Sequence, residues 1–412
     1  MSANVILVFR FEDKVKRSLI EEMIDLAEAA GYHVVDIITQ TRAEDPRYNI
    51  GIGKVEELKR VILENNIKKV IFYNMLRPSQ AYNLRKELKV EVMDRYELIL
   101  EIFASRAGSR EAKMQIELAK LKRELSFARE YINLQKRGEL HGFLGGGKYA
   151  VDAYYTYITR RISQIEHTLE KARLQKSMRW SRRSGGGLYL VSLSGYTRAG
   201  KSTLFEQLTR KEAYIDGKPF ATLSTLSRRT KISGYPVVVT DTIGFIDSLP
   251  DQLFDAFYTT LGETLFADVI ILVVDISEEI DEVMRKFNTS IEILSNLGVS
   301  FNKIVVAANK IDLTDSSDVH KKVNFLAASK LPVIPISASK GIGIDALSKV
   351  IVSKLPDKKS ETLIVEPNHK DVLEEALIKC KVHELTPDGE GRIRIIIEGR
   401  SEIIERLKAR CS

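Results

Sequence analysis

Up to about residue 104, short apolar runs alternate with stretches in which apolar residues recur every third or fourth position. The runs lie at 5–9, 34–38, 70–73 and 90–93. The helical spacings are Leu19, Met23, Leu26 and Ala30, then Val55, Leu58, Val61 and Ile62. Strands separated in this way by amphipathic helices predict an α/β domain with a parallel sheet over residues 1–104. Residues 105–183 change character. Met114, Leu118, Leu121, Leu125, Ala128 and Ile132, and then Ile158, Ile162, Ile165, Leu169 and Ala172, alternate steps of four and three. Two such series predict the seam of a helical hairpin or short coiled coil. Gly142 to Gly147 lie between them, with Phe143 and Leu144 inside and Lys148 directly after. Lys171, Arg173, Lys176, Arg179, Arg182 and Arg183 form a basic run at the end of the second helix. Ser184-Gly185-Gly186-Gly187 then marks a boundary.

Over residues 188–356 the runs at 189–193, 237–239, 269–274, 304–307 and 333–336 are apolar almost throughout. Strands apolar on both faces belong in a sheet covered by helices on both sides, the doubly wound α/β class. Residues 360–412 carry β-rich runs at 363–365 and 392–397 and a helical spacing at 372–378, which predict a small α/β appendage.

Composition narrows the class. A chain of 412 residues, 44% hydrophobic and 29% charged, is long enough for several buried cores and is neither disordered nor fibrous. The formal charge of +7 permits a nucleic-acid partner without demanding one. Cys380 and Cys411 cannot make a disulfide framework, and no Cys/His spacing suits zinc. The run at 269–274 stops at Asp275, so no membrane span is expected. The run at 5–9 lacks a preceding basic region and is no signal peptide, so a cytoplasmic location is expected.

Chemistry concentrates in the third segment. Gly195-Tyr196-Thr197-Arg198-Ala199-Gly200-Lys201-Ser202 follows an apolar run and leads through Thr203 into an amphipathic stretch. This is the context of a phosphate-binding loop. Its glycines let the backbone wrap an anion, Lys201 reaches the β- and γ-phosphates, and the Ser202 hydroxyl ligates Mg²⁺. In Asp241-Thr242-Ile243-Gly244, the Asp241 carboxylate can hold Mg²⁺ through water and the Gly244 amide can face a γ-phosphate. In Asn309-Lys310-Ile311-Asp312, a carboxylate at Asp312 accepts from both N1–H and the exocyclic amine of guanine, which selects GTP over ATP. Ser337-Ala338-Ser339-Lys340 adds backbone and small side-chain contacts to the base. In this order and spacing, the four segments predict a Mg²⁺-dependent GTPase that returns GDP. Thr222 is the first choice, and Thr225 the second, for the switch residue that ligates Mg²⁺ and senses the γ-phosphate. Catalytic duty is expected of Lys201, Thr222 and Gly244. Arg228 and Arg229 are read either as a solvated face or as catalytic or RNA-contacting groups. Phe245 stands where Ras-like enzymes carry a water-orienting Gln, so the group replacing it must come from elsewhere in the chain or from a partner.

The constellation resembles the HflX family of ribosome-associated GTPases over roughly residues 1–356. The phosphate loop is similar to the family's G-Y-T-N-A-G-K-S, with Arg198 in place of Asn. Phe220-Ala221-Thr222-Leu223, the segment from Asp241 through Phe245 to Ile246, and Leu249-Pro250 are similarly close. So are Ile50-Gly51-Ile52-Gly53-Lys54, Arg77-Pro78-Ser79-Gln80, Asp94-Arg95 and Arg110-Glu111-Ala112-Lys113 upstream. The resemblance implies docking on the large ribosomal subunit and its RNA, insertion of the hairpin loop near the peptidyl-transferase centre, and ribosome dissociation or rescue. It also implies that ATP can be accepted at the amino-terminal region. The hairpin loop departs from the family pattern, being shorter and lacking its Pro and Glu. The residues themselves point the same way, since a glycine loop can approach RNA backbone and the basic run can neutralise phosphates. Tyr149, Tyr154, Tyr155 and Tyr157 can either stack on bases or pack within the hairpin. The chain is expected to be a monomer. Two rival functions stay open: a nucleotide-driven RNA remodeller, with ATP as a candidate fuel, and a nucleotide-switched scaffold for a protein partner.

Overall fold

The computed structural model describes residues 3–15, 17–107, 109–136, 147–185, 187–209, 226–242, 244–245, 266–388 and 391–411. They fall into two compact units, the first running to Glu170 and the second taking up the chain from Lys171.

In the first unit, β1 (Ala3–Phe11), β2 (Tyr32–Thr41), β3 (Lys69–Phe72) and β4 (Glu91–Asp94) form a sheet of order β2-β1-β3-β4. Every pairing is parallel. The helices between them are α1 (Arg17–Ala29), α2 (Ile52–Glu64) and α3 (Pro78–Leu88). The spacing anticipated for α2 is the one that buries Val55, Leu58 and Ile62. Pro78 opens α3, where its missing N–H costs nothing, and Gln80 Oε1 accepts from Arg77 N at 2.9 Å. Asp94 ends β4 and caps α4 (Arg95–Arg106) by accepting from Glu97 N at 3.1 Å. It also pairs with the buried Arg123 of α5 (Arg110–Lys136).

The seam of α5 with α6 (Gly147–Gly185) is the predicted one. Leu118, Leu121, Ile158, Ile162, Ile165 and Leu169 form one buried cluster, flanked by Met114 and Leu125. Across it, Tyr154 donates to Glu124 at 2.9 Å and Tyr155 accepts from Arg129 at 3.1 Å, so both hydroxyls are engaged within the hairpin, while the Tyr154 and Tyr157 side chains are exposed. The glycine loop at 142–146 and the side chains of Tyr149, Arg173, Lys176, Arg179, Arg182 and Arg183 lie outside the described residues.

The second unit is built on a sheet of order β10-β9-β8-β5-β7-β6. Its strands are β5 (Tyr189–Gly195), β6 (Leu226–Ile232), β7 (Tyr235–Asp241), β8 (Val269–Asp275), β9 (Ile304–Asn309) and β10 (Val333–Pro335). All pairings are parallel except the hairpin of β6 with β7. The packed helices are α7 (Lys201–Thr209), α8 (Ile280–Asn296), α9 (Ser316–Ala327) and α10 (Ile344–Lys354).

The tail forms β11 (Lys358–Val365), α11 (Lys370–Lys379), β12 (Lys381–Pro387), β13 (Ile393–Arg400) and α12 (Ser401–Cys411). Its sheet is antiparallel, of order β11-β13-β12, and its core holds Ile395, Ile397, Ile403, Ile404 and Leu407. It is tied to the large sheet through Asp268, which accepts from Leu190 N at 2.8 Å and pairs with Arg400. The Arg400 guanidinium lies 4.6 Å over the Tyr189 ring.

β6, β12 and α12 are additions to the sequence-based outline. The additions include a decision about two arginines. On one face of β6, Arg228 lies 5.6 Å over the Phe205 ring and Thr230 donates to Leu208 O at 3.3 Å, both on α7. On the other face, Arg229 and Lys231 donate to Ile378 O and Leu377 O, each at 3.0 Å, at the end of α11. No helix among the described residues is long and apolar enough to cross a membrane.

Candidate functional site

The carboxyl edge of the large sheet gathers most of the predicted residues. Gly195 ends β5 with φ +138°, and a side chain there would run into the Val273 carbonyl of β8, so the strand can turn here only without a Cβ. Tyr196, Thr197, Arg198, Ala199 and Gly200 form the loop, and Lys201, Ser202 and Thr203 make the first turn of α7. Lys201 is buried. Its Nζ donates to Gly195 O at 3.0 Å and Tyr196 O at 2.7 Å. Burial pushes its ammonium down to about 8, and the nearby Asp241 carboxylate only partly opposes this.

Asp241 is the last residue of the fully buried β7, and its Oδ2 accepts from Ser202 Oγ at 2.8 Å. Thr242 donates to Leu193 O at 2.6 Å, fixing the chain as it leaves the sheet. Phe245 N then donates to Gly195 O and Phe245 O accepts from Thr197 N, both at 2.9 Å. The buried Phe245 ring meets Tyr196 edge-on, with centroids 6.5 Å apart. Gly244 is thereby held so close that a Cβ would stand 2.8 Å from Lys201 Nζ and from Thr197 Cγ2.

Asn309 ends β9 and is 2% exposed, with both ends of its amide in use. Nδ2 donates to Ala199 O at 2.8 Å, and Oδ1 accepts from Ala338 N at 2.9 Å. One side chain therefore ties the phosphate loop to the Ser337-Ala338-Ser339 segment that follows β10. Lys310, at φ +69°, pairs with Asp275 at the end of β8. Asp312 lies on the short 3₁₀ turn Ile311–Leu313 and is partnered by the hydroxyls of Ser337 and Ser339. The Ser337 bond leads in holding its carboxyl below the ordinary range, so it is an anion at neutral pH.

Thr222 and Thr225 lie outside the described residues, as do Ile243, Ile246, Leu249 and Pro250. Sequence reasoning did not single out Asp275 or the backbone of Phe245. The acid that interrupts the run 269–274 was a visible signal for the first. The second rests on main-chain bonds that no side-chain pattern encodes.

Comparison with known proteins places this geometry. Residues 17–104 match a profile described as GTP-binding GTPase N-terminal, 106–183 one described as GTP-binding GTPase Middle Region, and 190–310 one described as 50S ribosome-binding GTPase. The GTPase HflX of Thermofilum pendens is 57% identical over 408 residues, covering 98% of this chain and 96% of that protein. The chain belongs to the HflX GTPase family. The HflX of Thermococcus kodakarensis is 41% identical, with 96% and 91% covered, and that of Caldanaerobacter subterraneus 34%, with 98% and 93% covered. Among solved structures, a GTP-binding protein of Sulfolobus solfataricus in complex with GDP matches with TM-score 0.50 at 30% identity, over 86% of this chain and 99% of that one. A complex of SsGBP with GDP gives TM-score 0.54 at 31%, over 86% and 98%. As an HflX GTPase, this chain is a GTP-hydrolysing enzyme that binds guanine nucleotide.

Proposed function

We propose that this HflX GTPase is a Mg²⁺-dependent switch that engages the large ribosomal subunit in its GTP form and releases it after hydrolysis. The observation carrying the nucleotide half is the pair of hydrogen bonds made by the Asn309 amide. By joining Ala199 O to Ala338 N, it sets the phosphate loop and the base-contacting segment at a fixed separation. Asp312 accepts from guanine, the loop amides and Lys201 take the phosphates, and the Gly244 amide meets the γ-phosphate. Lys201 exchanges its bonds to Gly195 O and Tyr196 O for bonds to phosphate oxygens, which restore its full charge.

Ser202 Oγ and Asp241 Oδ2 lie 2.8 Å apart, and a hydroxyl beside a carboxylate is a donor set that suits Mg²⁺. These residues, with Thr222, would hold the ion, which when bound neutralises phosphate charge. The Phe245 side chain has no hydrogen-bonding atom and is buried, so the attacking water takes its orientation from another group.

The ribosomal half is supported by the profile matched at residues 190–310 and by the long hairpin of α5 and α6 with its basic end. The direct test sediments ribosomes with the protein and a non-hydrolysable GTP analogue, alongside GTP turnover with and without large subunits. Co-migration, loss of joined particles and a rise in turnover are expected. Unchanged turnover and no co-migration would remove the ribosome from the account. A ribosomal partner and GTP are both consistent with a cytoplasmic enzyme.

A further inference from the structure

In GTP hydrolysis the oxygen of water bonds to the γ-phosphorus, and the bond from that phosphorus to the β–γ bridging oxygen breaks. GDP leaves with the electron pair, and the proton from water ends on inorganic phosphate. Negative charge grows on the bridging oxygen as the bond breaks, and a cation that meets it there lowers the barrier. Residue 245 offers only a buried phenyl ring. Arg228 and Arg229 point into α7 and α11 through the contacts of β6.

The phosphate loop itself carries two cations, Lys201 and Arg198. Lys201 is buried beneath the loop, whereas Arg198 is exposed on it. Arg198 sits at φ +63°, in the left-handed region that glycine and asparagine tolerate and long side chains rarely enter. Left-handed residues help turn successive amides toward an anion in phosphate-binding loops, and the positive φ at 198 suits such a loop. Lys89, Lys310 and Lys330 share a positive φ, so what sets Arg198 apart is its place: an exposed guanidinium on the loop between Gly195 and Gly200, one turn from Lys201.

We propose that Arg198 is an arginine finger supplied in cis, whose guanidinium contacts the β–γ bridging oxygen in the transition state. It rests on the GTPase reading above and adds a catalytic residue to it. The guanidinium supplies charge to the leaving group, while water orientation remains a separate task.

The test uses the full chain with single-turnover GTP hydrolysis and GDP affinity measured side by side. Arg198→Ala is expected to slow hydrolysis about 100-fold while GDP affinity stays within about threefold, and free guanidinium ion is expected to restore part of the lost rate in this variant and none in wild type. Arg198→Lys keeps the charge but not the fork and should fall between the two. Arg198→Asn suits the left-handed backbone, so it should be as slow as the alanine variant without any loss of thermal stability. Hydrolysis within threefold of wild type in the alanine and asparagine variants would overturn the assignment. So would a loss of rate matched by an equal loss of GDP affinity and untouched by guanidinium, since that marks a residue that only shapes the loop. Absence of GDP binding in the wild-type protein would instead overturn the underlying nucleotide reading.

Discussion

Replacing Gly200 with alanine should uncouple the two halves of the nucleotide cleft. Gly200 has φ +93°, which costs an alanine about 1–2 kcal/mol. The added methyl would also collide with Asn309 Nδ2, well inside contact distance. A side-chain tip can usually swing away, but this one is pinned at both ends, to Ala199 O and Ala338 N. Moving it breaks two buried hydrogen bonds at about 1–1.5 kcal/mol each. Expressed wholly at the site, the total of about 3–5 kcal/mol corresponds to a loss of GDP affinity between about 150-fold and 4,000-fold. Asn309→Ala alone forfeits only the two bonds, about 2–3 kcal/mol. In the double variant nothing is left to collide with, so the loss should match that of Gly200→Ala instead of summing with it. Fluorescence titration of GDP across the four proteins measures the coupling, expected at about 2–3 kcal/mol. Additive losses would refute the bridging role given to Asn309.

Three further outcomes are expected. Burial pushes Lys201 down to about 8 and neighbouring phosphates would raise it, so binding at pH 8.5 should take up part of a proton. GDP affinity should fall by up to about tenfold per pH unit above 8, with a buffer-dependent calorimetric heat that Lys201→Met abolishes; a pH-independent affinity between 7 and 9 would contradict this. Asp312→Ala should lose about 100-fold in GDP affinity while leaving any ADP affinity unchanged, and equal losses for both would deny its part in choosing the base. Glu375 bonds to Lys379 first, with Arg406 and Arg410 beside it, and its carboxyl is held down at about 2. Its folded value lies below its unfolded one, so the stability it adds is complete above about pH 4.5 and disappears as pH falls toward 2. Glu375→Gln should flatten the fall in unfolding temperature over that window, and an identical slope in both proteins would exclude the linkage.

Where side-chain period and local chemistry agree, the structure could be read from the residues alone. The seam of α5 and α6 follows steps of four and three, and the buried strands β5, β8 and β9 are predominantly apolar. β6 escaped notice because Leu226-Ser227-Arg228-Arg229-Thr230-Lys231-Ile232 has cations on both faces, and each face finds its partner far away in the chain. α12 carried a legible spacing in Ile403, Ile404 and Leu407, but a single helical turn and a half is weak evidence without the sheet beneath it. At the site, motif order brought Lys201, Ser202, Asp241, Asn309 and Ala338 to one sheet edge. The bridging use of the Asn309 amide and the main-chain clasp of Phe245 emerge only once the strands are in place.

β6 has one more consequence. Side chains in a strand alternate, so sliding β6 by a single position against β7 would send Arg229 and Lys231 to the opposite surface and strip two carbonyls at the end of α11 of their donors. The tight turn at Ser233-Gly234, where both residues have positive φ, already sets this register, and the two carbonyls of α11 add a second check on it. The last fifty or so residues thus act as a second latch on the edge of the large sheet, holding β6 in the alignment that its own turn favours.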